Sequence, residues 1–311
     1  MNTKPLSYLV IIFFILSCDQ SLKKSNKNII STESKLSGFW QRIGTIQQVK
    51  GINVDTIYIK DKDPDYRQIK VFHKGNVAWI NNVYDTLNQY KSGSGMYGKF
   101  RIEDDVIIET ITHATGGAIG FLYQGGDKKL DSVPTKFGFV LNDDLLSYNW
   151  SIANRDMNSE NEENFLELWK RLPDINTKPS KIDGVWKRSF EIMYVNNVPV
   201  DTVSVPNDGK FDIHFRLNGR FIYQVDNTGM SSPGEEMWWG FGGYGQYVFT
   251  DENTIMEYGE FFSGGPKTTK NSPRTVGGME KFDFYNNDLF LQTQVDGEGN
   301  IFRGVVYGRV K

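Results

Sequence analysis

The chain contains an internal repeat. Residues 36–57 align without a gap with residues 182–203, at an offset of 146 positions, and eight of the 22 aligned residues are identical. This period is far longer than that of a solenoid, whose units have about 20–50 residues. The sequence therefore predicts two copies of one domain of about 135 residues, which we place at residues 36–172 and 182–311.

A short polar segment joins the two copies. Residues 173–181 contain two prolines, Pro173 and Pro179, and no alternating apolar pattern. Such a composition is typical of a linker between domains. A chain of 311 residues is long enough for two domains, since most domains have roughly 100–150 residues.

Apolar and polar residues alternate within each copy. In residues 211–217, phenylalanine, isoleucine and leucine alternate with aspartate, histidine and arginine, which is the period of a half-buried strand. Asn218-Gly219 follows, and the alternation resumes from Phe221 to Val225. An Asn-Gly pair between two alternating runs is a strong signal of a two-residue hairpin turn.

Similar runs along both copies predict an all-β fold. Aromatic residues make up 14% of the chain and there are 31 glycines, a composition that favours strands and turns over helices. A meander of antiparallel strands leaves two open edges unless it closes on itself. We therefore predict two tandem antiparallel meander β-barrels of about eight strands each. One open sandwich built from both copies is the alternative.

The first strand of each copy resembles a lipocalin motif. Residues 38–40, Gly-Phe-Trp, and residues 184–186, Gly-Val-Trp, resemble the G-x-W of lipocalins, whose tryptophan closes one end of the barrel. Lipocalins also carry an arginine late in the barrel that packs on this tryptophan, a contact worth about 0.5–2 kcal/mol. The resemblance covers nearly all of residues 36–311, and bacterial lipoproteins with lipocalin-like domains, many from Bacteroidota, look most similar. The barrel-closing pairs that it implies are Trp40 with Arg171 and Trp186 with Arg309.

The amino-terminal segment is typical of an export signal. Lys4 precedes an apolar run from Leu6 to Leu16, which is about half as long as a transmembrane helix. The run ends at Ile15-Leu16-Ser17-Cys18, which resembles the lipobox of bacterial lipoproteins. We expect residues 1–18 to be a lipoprotein signal peptide that ends at the lipid-attachment residue Cys18, and the polar residues 19–35 to be a flexible tether.

This N-terminus implies a location. A lipid on Cys18 would anchor the protein to a membrane of the bacterial cell envelope, with the inner and the outer membrane both left open. Cys18 is the only cysteine, so its modification would leave no thiol for a disulfide or for catalysis.

Several classes of function find no support in the sequence. The formal net charge is −3 and there is no basic stripe, so we expect no nucleic-acid partner. The three histidines, His73, His113 and His214, have no second histidine or cysteine at the spacing of metal ligands. No nucleophile or phosphate-loop motif is present. We therefore predict no metal site and no cofactor.

The aromatic and acidic residues of the barrels are candidates for a ligand site. An eight-stranded barrel is wide enough for packed side chains or for one small ligand. Trp238 and Trp239 are adjacent, so one indole would point away from the core and could stack on a sugar or a lipid. Glu109 and Glu257 occupy the same place in the two copies, and an inward carboxylate must be paired or have a raised pKa. The candidate ligand-binding residues are Trp79, Tyr97, Glu109, His113, Tyr223, Trp238, Trp239, Tyr244 and Glu257.

Three functions are compatible with these features. The first is a membrane-anchored lipoprotein with two lipocalin-like barrels that binds a small apolar or amphipathic ligand, or a glycan, without catalysis. The second is a structural or interaction subunit of a cell-envelope complex, whose barrels have filled cores and whose protein partners are unknown. The third, an enzyme that works through Glu109 or Glu257, has the least support, since both carboxylates are also explained as structural groups.

Overall fold

The computed structural model describes residues 32–49, 52–62, 66–84, 90–116, 134–149, 163–176, 178–204, 211–226, 240–264 and 276–311. Nearly all of these residues lie in β-strands. The predicted signal peptide with Cys18 lies outside the described residues, as do Trp238 and Trp239. No helix within the described ranges is long and apolar enough to cross a membrane.

The first nine strands form one closed antiparallel barrel, here called barrel 1. In chain order they are β1 (Gly38–Val49), β2 (Ile52–Tyr58), β3 (Arg67–His73), β4 (Asn76–Tyr84), β5 (Tyr90–Glu103), β6 (Val106–Gly116), β7 (Thr135–Asn142), β8 (Leu145–Asn149) and β9 (Glu163–Arg171). Strand β1 and strands β3 to β9 are neighbours in sequence order, and β9 pairs with β1 to close the ring of eight. Strand β2 pairs with the second half of β1, and a short helix, Ile59–Lys62, separates it from β3.

The second copy repeats this arrangement as barrel 2. Its strands are β10 (Gly184–Val195), β11 (Val198–Ser204), β12 (Phe211–Leu217), β13 (Arg220–Asp226), β14 (Phe241–Asp251), β15 (Thr254–Gly264), β16 (Val276–Asn286), β17 (Leu289–Val295) and β18 (Ile301–Arg309). Strand β18 pairs with β10 to close eight strands, and β11 extends β10 as β2 extends β1. The predicted fold class, all-β with two tandem antiparallel barrels, is confirmed. Because each sheet closes on itself, the alternative open sandwich does not form.

The duplication extends to the register of the strands. Trp40 lies opposite Lys70 on β3, and Trp186 lies opposite His214 on β12. The same two tryptophans lie opposite the late arginines of β9 and β18, and a β-bulge follows each of them in its strand. Equivalent positions of the two barrels can therefore be assigned from strand pairing alone.

Each barrel has two different ends, here called the floor and the mouth. The floor is the end at which β1 and β10 begin, and two-residue turns join the strands there. Asn218 and Gly219 in one of these turns have φ angles of 53° and 86°, and two positive φ angles are what a type I′ hairpin turn requires. Lys74 and Gly75 form the equivalent turn of barrel 1. The mouth is the opposite end, at which β1 and β10 finish.

The two barrels pack against each other through side chains that point away from their own interiors. Gln224 of barrel 2 connects them with two hydrogen bonds: its Nε2 donates to the Trp79 carbonyl at 3.0 Å, and its Oε1 accepts from the Thr115 hydroxyl at 2.8 Å. One apolar cluster contains residues of both barrels: Phe39, Ile69, Val71, Ala78, Ile80, Tyr97, Val185, Phe211, Ile213, Phe215, Leu217, Ile222 and Tyr244.

Three of the candidate ligand residues lie in this interface, which corrects their assignment to the barrel interiors. Tyr97 and Tyr244 belong to the shared apolar cluster. The ring of His113 stacks on that of Phe211 in the other barrel, with the ring centroids 3.4 Å apart. His113 points outward because a β-bulge inserts one extra residue, Thr112, into β6, and this reverses the alternation of inward and outward side chains.

Candidate functional site

Tryptophan and arginine close the floor of each barrel. The Arg171 guanidinium lies 4.2 Å from the ring centroid of Trp40, and that of Arg309 lies 4.0 Å from the ring of Trp186. Both indoles are fully buried. Each indole N–H donates to the carbonyl four residues earlier, that of Leu36 at 2.9 Å in barrel 1 and its equivalent at 2.8 Å in barrel 2.

The same arginines hold the chain that enters each barrel. Arg171 donates to the carbonyls of Ser37 and Lys35, and Arg309 donates to the equivalent carbonyls of barrel 2. A side chain at Gly38 would lie 2.8 Å from the Arg171 guanidinium, and Gly38 also has a φ of 130°. The glycine of each G-x-W motif is therefore required by the arginine that packs over it.

The end of the predicted tether is part of the folded structure. Residues 32–36 are helical. The Glu33 carboxylate accepts a hydrogen bond from the Gly75 N–H at 2.9 Å, and Leu36 is fully buried in the core of barrel 1. The predicted flexible segment therefore differs from the structure over residues 32–35, because this turn covers the floor.

Glu109 lies inside barrel 1 and pairs there with Lys70. Lys70 Nζ is 3.1 Å from its Oε1, and the Tyr148 hydroxyl donates to the same oxygen at 2.5 Å. Burial, together with the Glu109 charge, raises the pKa of Tyr148 well above its ordinary value. The Lys70 ammonium is also 4.2 Å from the centroid of the Tyr148 ring and within 5.7 Å of the ring centroids of Phe72, Phe137 and Trp169.

This arrangement gives Glu109 a structural role in place of the predicted ligand contact. Removal of either partner of a buried ion pair leaves an unpaired charge in the interior, which strongly destabilises the fold. Trp79 also lies inside barrel 1, nearer the mouth, where it is partly buried against Met96 and Ala114.

Glu257 of barrel 2 belongs to a different cluster. The fully buried Arg216 places one nitrogen, Nη2, 2.9 Å from Glu257, 3.0 Å from Glu280 and 3.0 Å from the Gln292 amide oxygen. Both carboxyl groups therefore share one guanidinium nitrogen. Burial and the neighbouring Glu257 charge raise the pKa of Glu280 well above its ordinary value, so Glu280 retains its proton where most glutamates are ionised.

A cavity of about 270 Å³ lies inside barrel 2, beside these two carboxyl groups. Its wall combines charged, hydrogen-bonding and apolar groups, which is the composition of a small-molecule site. Tyr223 is the other candidate residue, besides Glu257, that lines it. The polar lining residues are Asp212, His214, Tyr223, Glu257, Glu280, Gln292, Gln294, Arg303 and Tyr307, and the larger apolar ones are Phe221, Val225, Phe241, Phe262 and Val305.

A second group of polar side chains lies on the wall of this cavity. His214 Nε2 is 3.0 Å from Asp212 Oδ1 and 3.1 Å from the Tyr307 hydroxyl. Burial and the Asp212 charge raise the pKa of Tyr307 well above its ordinary value, so its hydroxyl stays protonated. This arrangement suits hydrogen bonding to a ligand better than nucleophilic attack.

Most of the lining residues are not among those predicted from the sequence. Asp212 and His214 alternate with apolar residues on β12, a pattern that usually marks a solvent-facing side. Glu280 comes from β16, where no sequence motif marks it. The described residues contain no group of three or more histidine, cysteine, aspartate or glutamate side chains arranged to hold a metal ion.

The comparisons with known proteins do not assign a family. No protein-family model matches the sequence, and no curated protein matches it. A protein of unknown function from the DUF3598 family of Nostoc punctiforme is 11% identical, and the match covers 89% of this chain and 97% of that one, with a TM-score of 0.22.

Two other solved structures have a similar degree of likeness. A double mutant of transferrin binding protein B from Haemophilus parasuis is 8% identical over 88% of this chain and 76% of its own, with a TM-score of 0.21. Intact Ap-TbpB, with its N and C lobes, is 8% identical over 88% of this chain and 77% of its own, with a TM-score of 0.20.

Proposed function

We propose that this protein binds a small amphipathic ligand in the cavity of barrel 2. The observation that carries the proposal is the cavity itself, because about 270 Å³ of space is bordered on one side by carboxyl groups and on another by aromatic rings. Such a wall offers hydrogen bonds to one part of a ligand and apolar contact to the rest. Ligand binding without catalysis is the function that this geometry supports best.

The two barrels then have different roles. Lys70 and four aromatic rings occupy the interior of barrel 1 at the position where barrel 2 has its charged cavity wall. Barrel 1 therefore acts as a scaffold, and barrel 2 carries the ligand.

A cavity-filling variant tests the proposal. A side chain at Gly278, which lines the cavity, would have no atom within 4 Å of its Cβ, so Gly278→Phe should fill the space without disturbing the fold. Saturable quenching of intrinsic fluorescence by amphipathic probes should be seen with residues 19–311 and lost in this variant. Gly297→Phe is the matched control, because Gly297 is equally unobstructed and does not line the cavity. A broad probe set with no saturable binder would contradict the proposal.

Membrane attachment is a separate part of the proposal. Its support is the lipobox-like sequence that ends at Cys18. In a bacterial host, the full chain should incorporate labelled palmitate and sediment with membranes, whereas Cys18→Ser should do neither. Equal labelling of both chains would contradict an anchor at this residue.

Exposed apolar side chains at the mouths favour the interaction subunit as a second candidate. The hairpin of β10 and β11 exposes Val195, Val198 and Val200, and the equivalent hairpin of barrel 1 exposes Ile52 and Val54. Crosslinking in envelope preparations should then recover one defined partner through these hairpins. Failure to recover any partner would count against this candidate.

A further inference from the structure

Barrel 1 provides an internal reference for the ligand site of barrel 2. Glu109 lies opposite Phe100 on β5, and Glu257 lies opposite Tyr247 on β14, so the two glutamates are equivalent. In barrel 1 the partner of this glutamate is an ammonium group, that of Lys70, at 3.1 Å. In barrel 1, this interior position therefore binds a primary amine, that of the Lys70 side chain.

Barrel 2 lacks this lysine. His214 takes the place of Lys70, because each lies opposite the G-x-W tryptophan of its barrel. The imidazole Nε2 lies 3.0 Å from Asp212 Oδ1 and 3.1 Å from the Tyr307 hydroxyl. The cavity lies beside it.

Barrel 2 also has an additional carboxyl group. Glu280 lies opposite Ile255 on β15, as Phe137 lies opposite Ile107 on β6. An aromatic ring that faces the Lys70 ammonium in barrel 1 is thus replaced in barrel 2 by an acid. Arg216 stands where barrel 1 has Phe72, so barrel 2 has two carboxyl groups and one guanidinium where barrel 1 has one carboxyl group and one ammonium.

One guanidinium serves both carboxyl groups of barrel 2. Arg216 Nη2 lies 2.9 Å from Glu257 and 3.0 Å from Glu280, whereas Arg303, which lines the cavity, pairs with Glu191 at 2.6 Å. A single positive charge therefore faces two carboxyl groups, and the second of them either holds a proton or pairs with another cation.

We propose that the cavity of barrel 2 binds a protonated amine, whose ammonium lies against Glu257 and Glu280 as Lys70 lies against Glu109 in barrel 1. This inference rests on the proposed function of the same site. The apolar body of the ligand packs along Phe221, Tyr223 and Phe241, whose rings follow one another on one wall with centroids 6.3 Å and 6.1 Å apart. Aromatic faces beside the ammonium add cation–π attraction.

The proton of Glu280 is displaced when the amine binds. The pair of carboxyl groups holds one proton in the empty site because burial and their mutual repulsion raise the pKa of Glu280. An ammonium between the two groups supplies the positive charge instead, and the proton is released to solvent. Neutral ligands cause no such release.

Three ligands of nearly the same shape test the inference by isothermal titration calorimetry with residues 19–311. We expect 2-phenylethylamine to bind at least tenfold more tightly than 2-phenylethanol, and phenylacetate to bind most weakly. The heat of amine binding should change with the ionisation enthalpy of the buffer, since a proton is released, and that of the alcohol should not.

Two variants complete the experiment. Glu280→Gln keeps a group that can accept from Arg216, and we expect it to lower amine affinity at least tenfold while alcohol affinity stays unchanged. Asp283→Asn, an exposed position on the same strand, should leave both affinities unchanged. The inference is overturned if the amine does not bind, if it binds no better than the alcohol, or if Glu280→Gln keeps full amine affinity. Saturable alcohol binding in those cases leaves the proposed function standing, whereas loss of all saturable binding contradicts both.

Discussion

At the residue scale, the two floor tryptophans are the positions where sequence and structure agree in most detail. Trp40 and Trp186 are fully buried under their arginines, so Trp40→Ala or Trp186→Ala should lower the free energy of unfolding by about 3–5 kcal/mol. Urea denaturation followed by circular dichroism measures this change. Val200→Ala, at an exposed position, is the control, and unchanged stability in both tryptophan variants would refute their role in closing the floor.

Glu280 gives a second prediction for a single residue, which concerns pH. The folded protein raises its pKa, so the stability that comes from its bound proton is complete below the unfolded pKa of about 4.3 and is lost as pH rises through the folded pKa. Wild type should therefore lose stability relative to Glu280→Gln with increasing pH, by at most about 1.4 kcal/mol per pH unit. Denaturation of both proteins across a pH series measures the difference, with Asp283→Asn as the control. If the free energies of unfolding of wild type and Glu280→Gln change in parallel with pH, Glu280 does not bind a proton more tightly in the folded protein than in the unfolded one. The charged and titratable groups that face Glu280 are Asp212, His214, Arg216, Tyr223, Glu257, Arg303 and Tyr307.

At the scale of the element, β12 explains why much of the site is not readable from the sequence. The alternation in residues 211–217 indicates a strand, and all seven of its residues are buried. Its apolar side chains face the other barrel, and its polar side chains face the interior of barrel 2. In most half-buried strands the apolar side chains face the interior and the polar ones face solvent. The packing of the other barrel against β12 and the polar cavity both depend on contacts between residues that are far apart in the sequence. The local alternation in β12 holds no information about such contacts.

The apolar side of β12 yields a prediction for this strand. Ile213 is fully buried in the interface, so Ile213→Asn should lower stability by about 3 kcal/mol or more, because a side chain is lost from the packing and an amide is buried without a partner. Val200→Asn on the exposed β11 should change stability by less than about 0.5 kcal/mol. Thermal unfolding of the two variants compares them directly, and equal melting temperatures would show that β12 does not need its apolar side.

At the scale of the whole molecule, the interface follows from the duplication. Equivalent outward positions of the two copies meet in one cluster: Phe39 and Val185, Ile69 and Ile213, Val71 and Phe215, Ala78 and Ile222, and Tyr97 and Tyr244. A patch that contacts its own equivalent is the arrangement of a two-fold interface. The repeat is evident in the sequence, whereas the contact between the copies depends on which faces turn outward, and the β-bulges that decide this for residues such as His113 leave no clear mark in the sequence.

This interface should hold the two barrels together without the linker. The linker itself is bound to barrel 2, because the N–H groups of Ile175 and Asn176 both donate to the Asn218 carbonyl at 2.9 Å. Cleavage at a protease site inserted between residues 176 and 179, beyond these hydrogen bonds, breaks the covalent connection between the barrels. After cleavage, both fragments should elute together in size-exclusion chromatography at the volume of the intact chain. Val71→Asp combined with Phe215→Asp places two unpaired charges in the cluster, and the cleaved fragments of this variant should separate. Separation of the unmodified fragments would mean that the linker, and not the apolar cluster, keeps the barrels in contact.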